Sequence, residues 1–182
     1  MSVNGRNRIL VIIPTYNEAD NIRALTRKLL ELDLPLDILV VDDASPDGTG
    51  RIADEIAAAE PRVRVMHRQG KLGLGTAYRA GLNEAISGGY EFAVTMDADF
   101  SHDPSYLPAI FALAKGNDLA IGSRYVPGGG VRNWSRARLA LSRAGNLYAR
   151  LLLGVPIRDA TSGFRVYRRE LLRRLLEEPV RS

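Results

Sequence analysis

Phe92-Ala93-Val94-Thr95-Met96 runs without a break into Asp97-Ala98-Asp99. The first part is short, apolar and partly β-branched, the composition of a strand buried on both faces. A buried strand that ends abruptly in two carboxylates predicts an open parallel sheet, because ligands of such sheets bind beyond the carboxyl ends of the strands.

The same pattern recurs on either side. Arg8 to Ile13 reads as a first strand and leads into Pro14-Thr15-Tyr16-Asn17-Glu18. Ile38 to Val41 is a second strand ending in Asp42-Asp43, Val63 to Met66 a third, and Leu119 to Gly122 a fifth followed by Ser123-Arg124. Helical periods fill the gaps. Ile22, Leu25, Leu29 and Leu32 share one face, with Asn17 or Asp20 as the expected cap. Ser45-Pro46-Asp47-Gly48 is a turn, and Ile52, Ala53, Ile56 and Ala57 form the inner face of the next helix. Further helices are expected at Thr76 to Ile86, Pro104 to Leu113, Arg136 to Leu153 and Arg169 to Glu178, the last ending at Pro179. Ile157 to Arg165 reads as irregular. Alternating strands and helices predict an α/β fold with a mostly parallel central sheet flanked by helices, and one domain over residues 1–182.

Composition agrees. The 182 residues are 46% hydrophobic and 25% charged, which excludes a disordered tail, a collagen-like fibre and a coiled coil. There is no cysteine, so disulfides, thiolate metal ligands and a cysteine nucleophile are excluded. Basic residues precede the first apolar run, but Pro14 ends it and no small-residue cleavage pattern follows; a strand is expected there, not a signal peptide. No apolar window approaches the ~18 residues of a membrane span. The net charge is only +4, yet arginines crowd the chain from Arg124 to Arg181 while most acidic clusters lie earlier. That asymmetry suggests a surface for an anion, a phosphate or a lipid headgroup. Nucleic acid is a poor reading, because the charge is small and stacking aromatics are scarce.

Asp97 and Asp99 are candidate ligands of a hard divalent cation, with phosphate oxygens and water completing the shell; the bland alternative is strand-terminal turn residues. Ser101 or His102 could add a direct or water-mediated contact, although His102 reads better as a structural group. Neither a dinucleotide fingerprint after the first strand nor a GxxxxGK[ST] phosphate loop is present. Gly70-Lys71-Leu72-Gly73-Leu74-Gly75 could let backbone approach a nucleotide with Lys71 near a phosphate, or could simply be a loop–helix junction. Asp42 and Asp43 suit a ribose hydroxyl or base edge, while Asp43 could instead cap local backbone donors. Tyr16 could contact a base or sugar, and Glu18 nucleotide hydroxyls. Arg136, Arg143 and Arg150 recur at seven and can share a helix face, with Arg138 off that row. Arg124, at a strand end, is the best single candidate for a phosphate.

ILVIIPTYNEADNI, ILVVDDASPDGT, GKLGLGTAYRAG, VTMDADFSHDP, GSRYVPGGG and DATSGFRVYRR occur in that order. Together they resemble family 2 glycosyltransferases of the dolichol-phosphate or polyprenol-phosphate mannosyltransferase type, from about Ile9 to Leu176. The resemblance implies a GT-A fold and inverting transfer of mannose from GDP-mannose to a polyprenyl (dolichyl) phosphate. It implies that Pro14, Tyr16 and Glu18 line the donor pocket with Asp42, and Asp43 beside it, near the ribose or base. It also implies that Asp97 and Asp99 hold Mg²⁺ or Mn²⁺, with Ser101 where many relatives carry Gln. Arg124 and Arg138 become candidates to grip the acceptor phosphate, and Thr161, Ser162, Gly163 and Arg165 form another characteristic loop. Peripheral association with the cytoplasmic face of the membrane follows, with a membrane protein as a further partner. Relatives continue beyond the point where this chain stops, so its acceptor and membrane portion is expected to be incomplete. The rival readings are a related transferase using UDP-glucose and a nucleotide-sugar-binding fragment without catalysis.

Overall fold

The structure is a computed structural model and describes residues 8–123, 159 and 161–177. Six strands form one sheet: β1 (Ile9–Thr15), β2 (Leu36–Asp42), β3 (Val63–His67), β4 (Phe92–Thr95), β5 (Leu119–Ile121) and β6 (Arg165–Arg168). Their order is β3-β2-β1-β4-β6-β5. β1 is parallel to β2 and β4, and β2 to β3; only β6 runs antiparallel to its neighbours β4 and β5.

The helices are α1 (Ala19–Leu30), α2 (Thr49–Ala59), α3 (Leu74–Ser87), α4 (Leu107–Ala114) and α5 (Arg169–Glu177). A short 3₁₀ turn, Pro104–Tyr106, opens α4, because Pro104 and Pro108 remove amide donors at the start of the expected helix.

β1 is buried along its whole length, as an unbroken apolar run requires. Alternation then splits the core in two. Ile9, Val11 and Ile13 join Ile22, Leu25 and Leu29 of α1 and Phe111 of α4 on one face. Leu10 and Ile12 join Ala77 and Ala85 of α3 on the other. Phe92 and Phe111 meet edge to face at 5.0 Å. α3 lies close to β1 because Gly81 has no side chain: a Cβ there would fall 2.4 Å from Ile12 Cγ2.

Two expectations are corrected. The sequence reads as irregular from Ile157 to Arg165 and as helix from Arg169, with Val166 to Arg168 unassigned, yet Arg165-Val166-Tyr167-Arg168 is a strand inserted between β4 and β5. It is four residues long with an arginine at each end, so its apolar signal is only Val166 and Tyr167. Neither Asn17 nor Asp20 caps α1. Asn17 has a positive φ of 62°, and the first amides of α1 are taken by residues from the start of α2. Glu18 N donates to Thr49 Oγ1 at 2.9 Å and Ala19 N to Asp47 Oδ2 at 3.0 Å. Asp47 also accepts from Thr49 N, so one carboxylate serves both helix starts. The expected helix over Arg136 to Leu153 lies outside the described residues, as do Arg124 and Arg138.

Candidate active site

From β1 the chain proceeds outward to β2 and β3, then returns to place β4 on the other side of β1. The carboxyl ends of β1 and β4 are therefore a topological switch point, where a crevice opens. Pro14 helps to open it. Ile12 O accepts from Met96 N on the β4 side; two residues later along the strand, the missing donor of Pro14 faces the same way, where β4 has already turned off.

Two loops wall the crevice on the β2 side. Asp42 is buried and its Oδ1 accepts from Thr15 Oγ1 at 2.9 Å and Ser45 Oγ at 2.5 Å; Ser45 N donates to Oδ2 at 3.1 Å. Ser45 Oγ in turn accepts from Asn17 N, which ties the loop after β1 to the loop after β2. Asp43 is held by a bidentate Arg68, through Nε at 2.5 Å and Nη2 at 2.7 Å. Leu72 N and Gly73 N donate to the same carboxylate at 3.0 and 3.2 Å. Burial pushes the Asp43 carboxyl up, but the Arg68 hydrogen bonds and charge and the two amides outweigh it, and its pKa lies below the ordinary value. Arg68 also reaches Thr76 Oγ1 and Gly73 O, so the Gly-rich loop is pinned to β2 through one guanidinium. Gly73 has φ of 96°, a conformation that its lack of Cβ permits at the start of α3. On the outside of this loop the Lys71 ammonium lies 4.0 Å from the centre of the Tyr16 ring.

The β4 side carries Asp97 and Asp99. Tyr78 of α3 donates its hydroxyl to Asp97 Oδ1 at 2.6 Å. Burial, then the charge and hydrogen bond of Asp97, push the Tyr78 pKa far up, so the hydroxyl remains a donor. Behind the other oxygen stands Gly163, where a Cβ would fall 2.4 Å from Asp97 Oδ2. Thr95 Oγ1 donates to Gly163 O, and the buried Ser162 hydroxyl fixes the turn by donating to Gly122 O at 2.6 Å and accepting from Phe164 N. His102 lies against Ser162 Oγ at 3.3 Å and beside the Phe164 ring, a buried place behind the crevice. Asp99 is exposed; Ser101 donates to it through its amide at 2.9 Å and its hydroxyl at 2.7 Å. Ser101 thus engages both Asp99 oxygens from within the same short loop. Phe100, between them, takes a positive φ of 57° that turns the chain back.

Glu18 faces this pair across the crevice. Burial raises its pKa; Asn21 Nδ2 offsets this at 2.8 Å, and the charges of Asp99, Asp47 and Asp97 raise it further. Among the described residues no lysine or arginine forms an ion pair with Glu18, Asp97 or Asp99. Nor, among the described residues, is any group of three or more Asp, Glu, His or Cys side chains placed to hold a metal ion by itself. The donor set is hard oxygen, and no ion pair among the described residues engages it. It suits a divalent cation that draws its remaining ligands from a bound diphosphate and water.

Pro14, Tyr16, Glu18, Asp42, Asp43, Lys71, Asp97, Asp99 and Ser101 therefore all lie around the carboxyl ends of β1, β2 and β4 and the loop before α3. The sequence reading missed Thr15, Ser45, Arg68, Tyr78 and the closeness of Gly163 to Asp97. Arg68 was open to the same argument as the others, since it follows β3 directly. Tyr78 lies one helix away from its carboxylate and carries no such signal.

The sequence profile described as Glycosyl transferase family 2 matches residues 10–176. The chain belongs to glycosyl transferase family 2. It is 53% identical over 176 residues to a Mycolicibacterium smegmatis protein named polyprenol monophosphomannose synthase, covering 96% of this chain and 66% of that protein. It is 47% identical over 175 residues to the undecaprenyl-phosphate mannosyltransferase of Micrococcus luteus, covering 96% and 72%. Among solved structures it resembles the Pyrobaculum calidifontis mannosyltransferase PcManGT, in complex with GDP-Man and Mn²⁺. The TM-score is 0.62 at 24% identity, over 98% of this chain and 50% of that one. That likeness is one of fold, and the fold of this family 2 chain is GT-A.

Proposed function

We propose that this chain transfers mannose from GDP-mannose to a polyprenyl (dolichyl) phosphate with inversion at the anomeric carbon, acting as a single catalytic domain. The observation that carries the reading is the pairing of two facts: 53% identity to a polyprenol monophosphomannose synthase, and carboxylates converging on the switch point of the sheet.

Each residue has a part in this reading. Pro14 and Tyr16 line the donor pocket, with Lys71 over Tyr16 closing its outer side. Asp42 stands beside the ribose or base, its Oδ2 accepting only Ser45 N among the described residues and keeping acceptor capacity for a ligand hydroxyl. Asp43 sets the position of the Gly-rich loop through Arg68. Asp97 and Asp99 would hold Mg²⁺ or Mn²⁺, with Ser101 orienting Asp99 and available as a further oxygen donor. Such a cation, when bound, neutralises charge developing on the leaving GDP. Glu18 contributes to the same negative field and offers acceptor oxygens to nucleotide hydroxyls.

The acceptor needs no strong enzymatic base. A phosphate monoester has its second pKa at about 6 and is largely a dianion near neutral pH. One of its oxygens bonds to C1 of mannose as the bond from C1 to the donor diphosphate breaks, and GDP leaves with that electron pair. In-line attack from the face opposite GDP yields the β-linked product. Arg124 and Arg138 are assigned to offset repulsion between the two phosphates and to align the nucleophile.

No helix among the described residues is long and apolar enough to cross a membrane. With a lipid acceptor and an arginine-rich second half, we place the chain peripherally on the cytoplasmic face of the membrane, with a membrane protein as a further partner. Flotation with anionic liposomes tests this, and unchanged sedimentation with and without vesicles contradicts it.

Incubation with radiolabelled GDP-mannose, polyprenyl phosphate and Mg²⁺ or Mn²⁺ is the direct assay, run beside UDP-glucose. The expected result is lipid-linked mannose with the first donor alone. Nucleotide-sugar binding without lipid-linked product, or product from UDP-glucose only, overturns the proposal.

A further inference from the structure

The two sides of Asp97 are both occupied, by elements distant in sequence. From α3 comes the Tyr78 hydroxyl, 2.6 Å from Oδ1. From the turn before β6 comes Gly163, so close to Oδ2 that even a methyl group would overlap it. The turn is itself anchored: Ser162 is 1% exposed and bonded to Gly122 O and Phe164 N, and Thr95 Oγ1, two residues before Asp97, holds Gly163 O at 2.8 Å. Asp99, by contrast, is exposed and its hydrogen-bond partners are both on Ser101.

We propose that Tyr78 is a positioning residue for the cation site, clamping Asp97 against Gly163 so that its carboxylate is preset while Asp99 adapts to the bound diphosphate. This deepens the reading of the Asp97/Asp99 pair as cation ligands and rests on it. The chemistry is that of a carboxylate ligand oriented by a donor behind it. Removing such a donor lowers metal affinity while leaving the ligand itself in place. Tyr78 touches neither cation nor sugar in this scheme. Its hydroxyl fixes one carboxylate torsion, and Gly163 keeps that torsion accessible.

The test is Mn²⁺ binding by the whole 182-residue chain, followed by electron paramagnetic resonance with saturating GDP and, in a parallel arm, saturating UDP. Tyr78→Phe keeps the ring and its packing. It is expected to weaken Mn²⁺ about tenfold, with metal-free nucleotide affinity and thermal midpoint close to wild type. Gly163→Ala, which displaces the carboxylate, is expected to weaken Mn²⁺ more than Tyr78→Phe does. Wild-type Mn²⁺ affinity in Tyr78→Phe overturns the clamp and leaves the cation site standing. Equal loss of Mn²⁺ and metal-free nucleotide affinity in Tyr78→Phe overturns it also, since the effect is then one of folding. A wild-type chain that binds no Mn²⁺ with either nucleotide overturns the cation site and the clamp together. A tenfold effect seen with UDP and not GDP supports the clamp while counting against GDP-mannose as the donor.

Discussion

The two ends of the sheet both carry arginine–carboxylate pairs, and they use them differently. At the amino end, Arg8, Arg62, Arg64, Asp37 and Tyr90 line an open basin of about 340 Å³. Arg8 pairs with Asp37 at 2.8 Å and lies over the Tyr90 ring, Arg64 pairs with Glu84, and Arg62 with Glu60. Each cation there has its anion, and the Arg8 and Asp37 side chains remain 47% and 25% exposed. At the carboxyl end the Arg68–Asp43 pair is 9% and 6% exposed, and beyond it stand Glu18, Asp97 and Asp99, none of which forms an ion pair among the described residues. Charge balance marks a face that solvent can satisfy. Charge imbalance around a buried, organised pair marks a face that awaits a ligand.

The contrast is sharpened first by Arg68→Met. This leaves Asp43 buried among two amides without its counterion and is expected to cost about 3 kcal/mol in chemical denaturation, at the low end for a broken buried pair because the site is at the rim of the sheet. Because the folded-state pKa of Asp43 is depressed, its contribution is present above its unfolded value of about 3.9 and is lost as pH falls through the folded value. Arg68→Met should therefore also flatten the acid limb of the stability profile. An unchanged limb breaks the comparison on its carboxyl side.

Next in size is Gly81→Ala, which tests the packing that carries α3, and with it Tyr78, onto β1. The added methyl must displace Ile12, and a loss of about 1–3 kcal/mol is expected by thermal denaturation. Asp47→Ala follows, with about 1 kcal/mol lost from the shared cap of α1 and α2. At the amino end, Asp37→Asn should change stability by less than about 1 kcal/mol, since the pair is partly solvated. A loss there as large as that of Arg68→Met would erase the distinction between the two ends.

Glu18 gives the smallest effect and the opposite sign. Its folded pKa is raised, so its contribution to stability is present below the unfolded value of about 4.3 and is lost as pH rises through the folded value. Glu18→Gln should thus be slightly more stable than wild type at neutral pH and indistinguishable from it in acid, read from paired urea titrations. Destabilisation at neutral pH would place Glu18 outside the negative field of Asp97 and Asp99.

The sheet was legible from its strands because buried apolar runs stop abruptly at a carboxylate, as Val41 does at Asp42 and Met96 at Asp97. That rule needs a long enough apolar run. β6, with two apolar residues between arginines, offered none, and its place between β4 and β5 is decided by pairing across the sheet. The candidate site was legible where a residue proposed to meet the ligand lies at or shortly after the end of its strand, as with Glu18, Asp42, Asp97 and Asp99. It was not legible where a residue from elsewhere completes the geometry. Tyr78 reaches Asp97 from the first turns of α3, Gly163 from the turn before β6, and Asp47 caps a helix that begins 28 residues earlier in the chain. Such contacts depend on tertiary placement, which local spacing does not encode. Asp43 carried two readings, a ligand contact or a cap for backbone donors, and its oxygens accept from Arg68 and the amides of Leu72 and Gly73, a partner set that sequence spacing does not encode.

The central claim is that the Asp97/Asp99 pair supports departure of GDP as a lipid phosphate attacks mannose. The measurement that bears on it most directly is metal-dependent formation of lipid-linked mannose by Asp97→Ala/Asp99→Ala, with circular dichroism confirming the fold. Loss of several kcal/mol of transition-state stabilisation predicts a fall of about a thousandfold or more. A folded double variant that still makes lipid-linked mannose at a metal-dependent rate within a few-fold of wild type would contradict it.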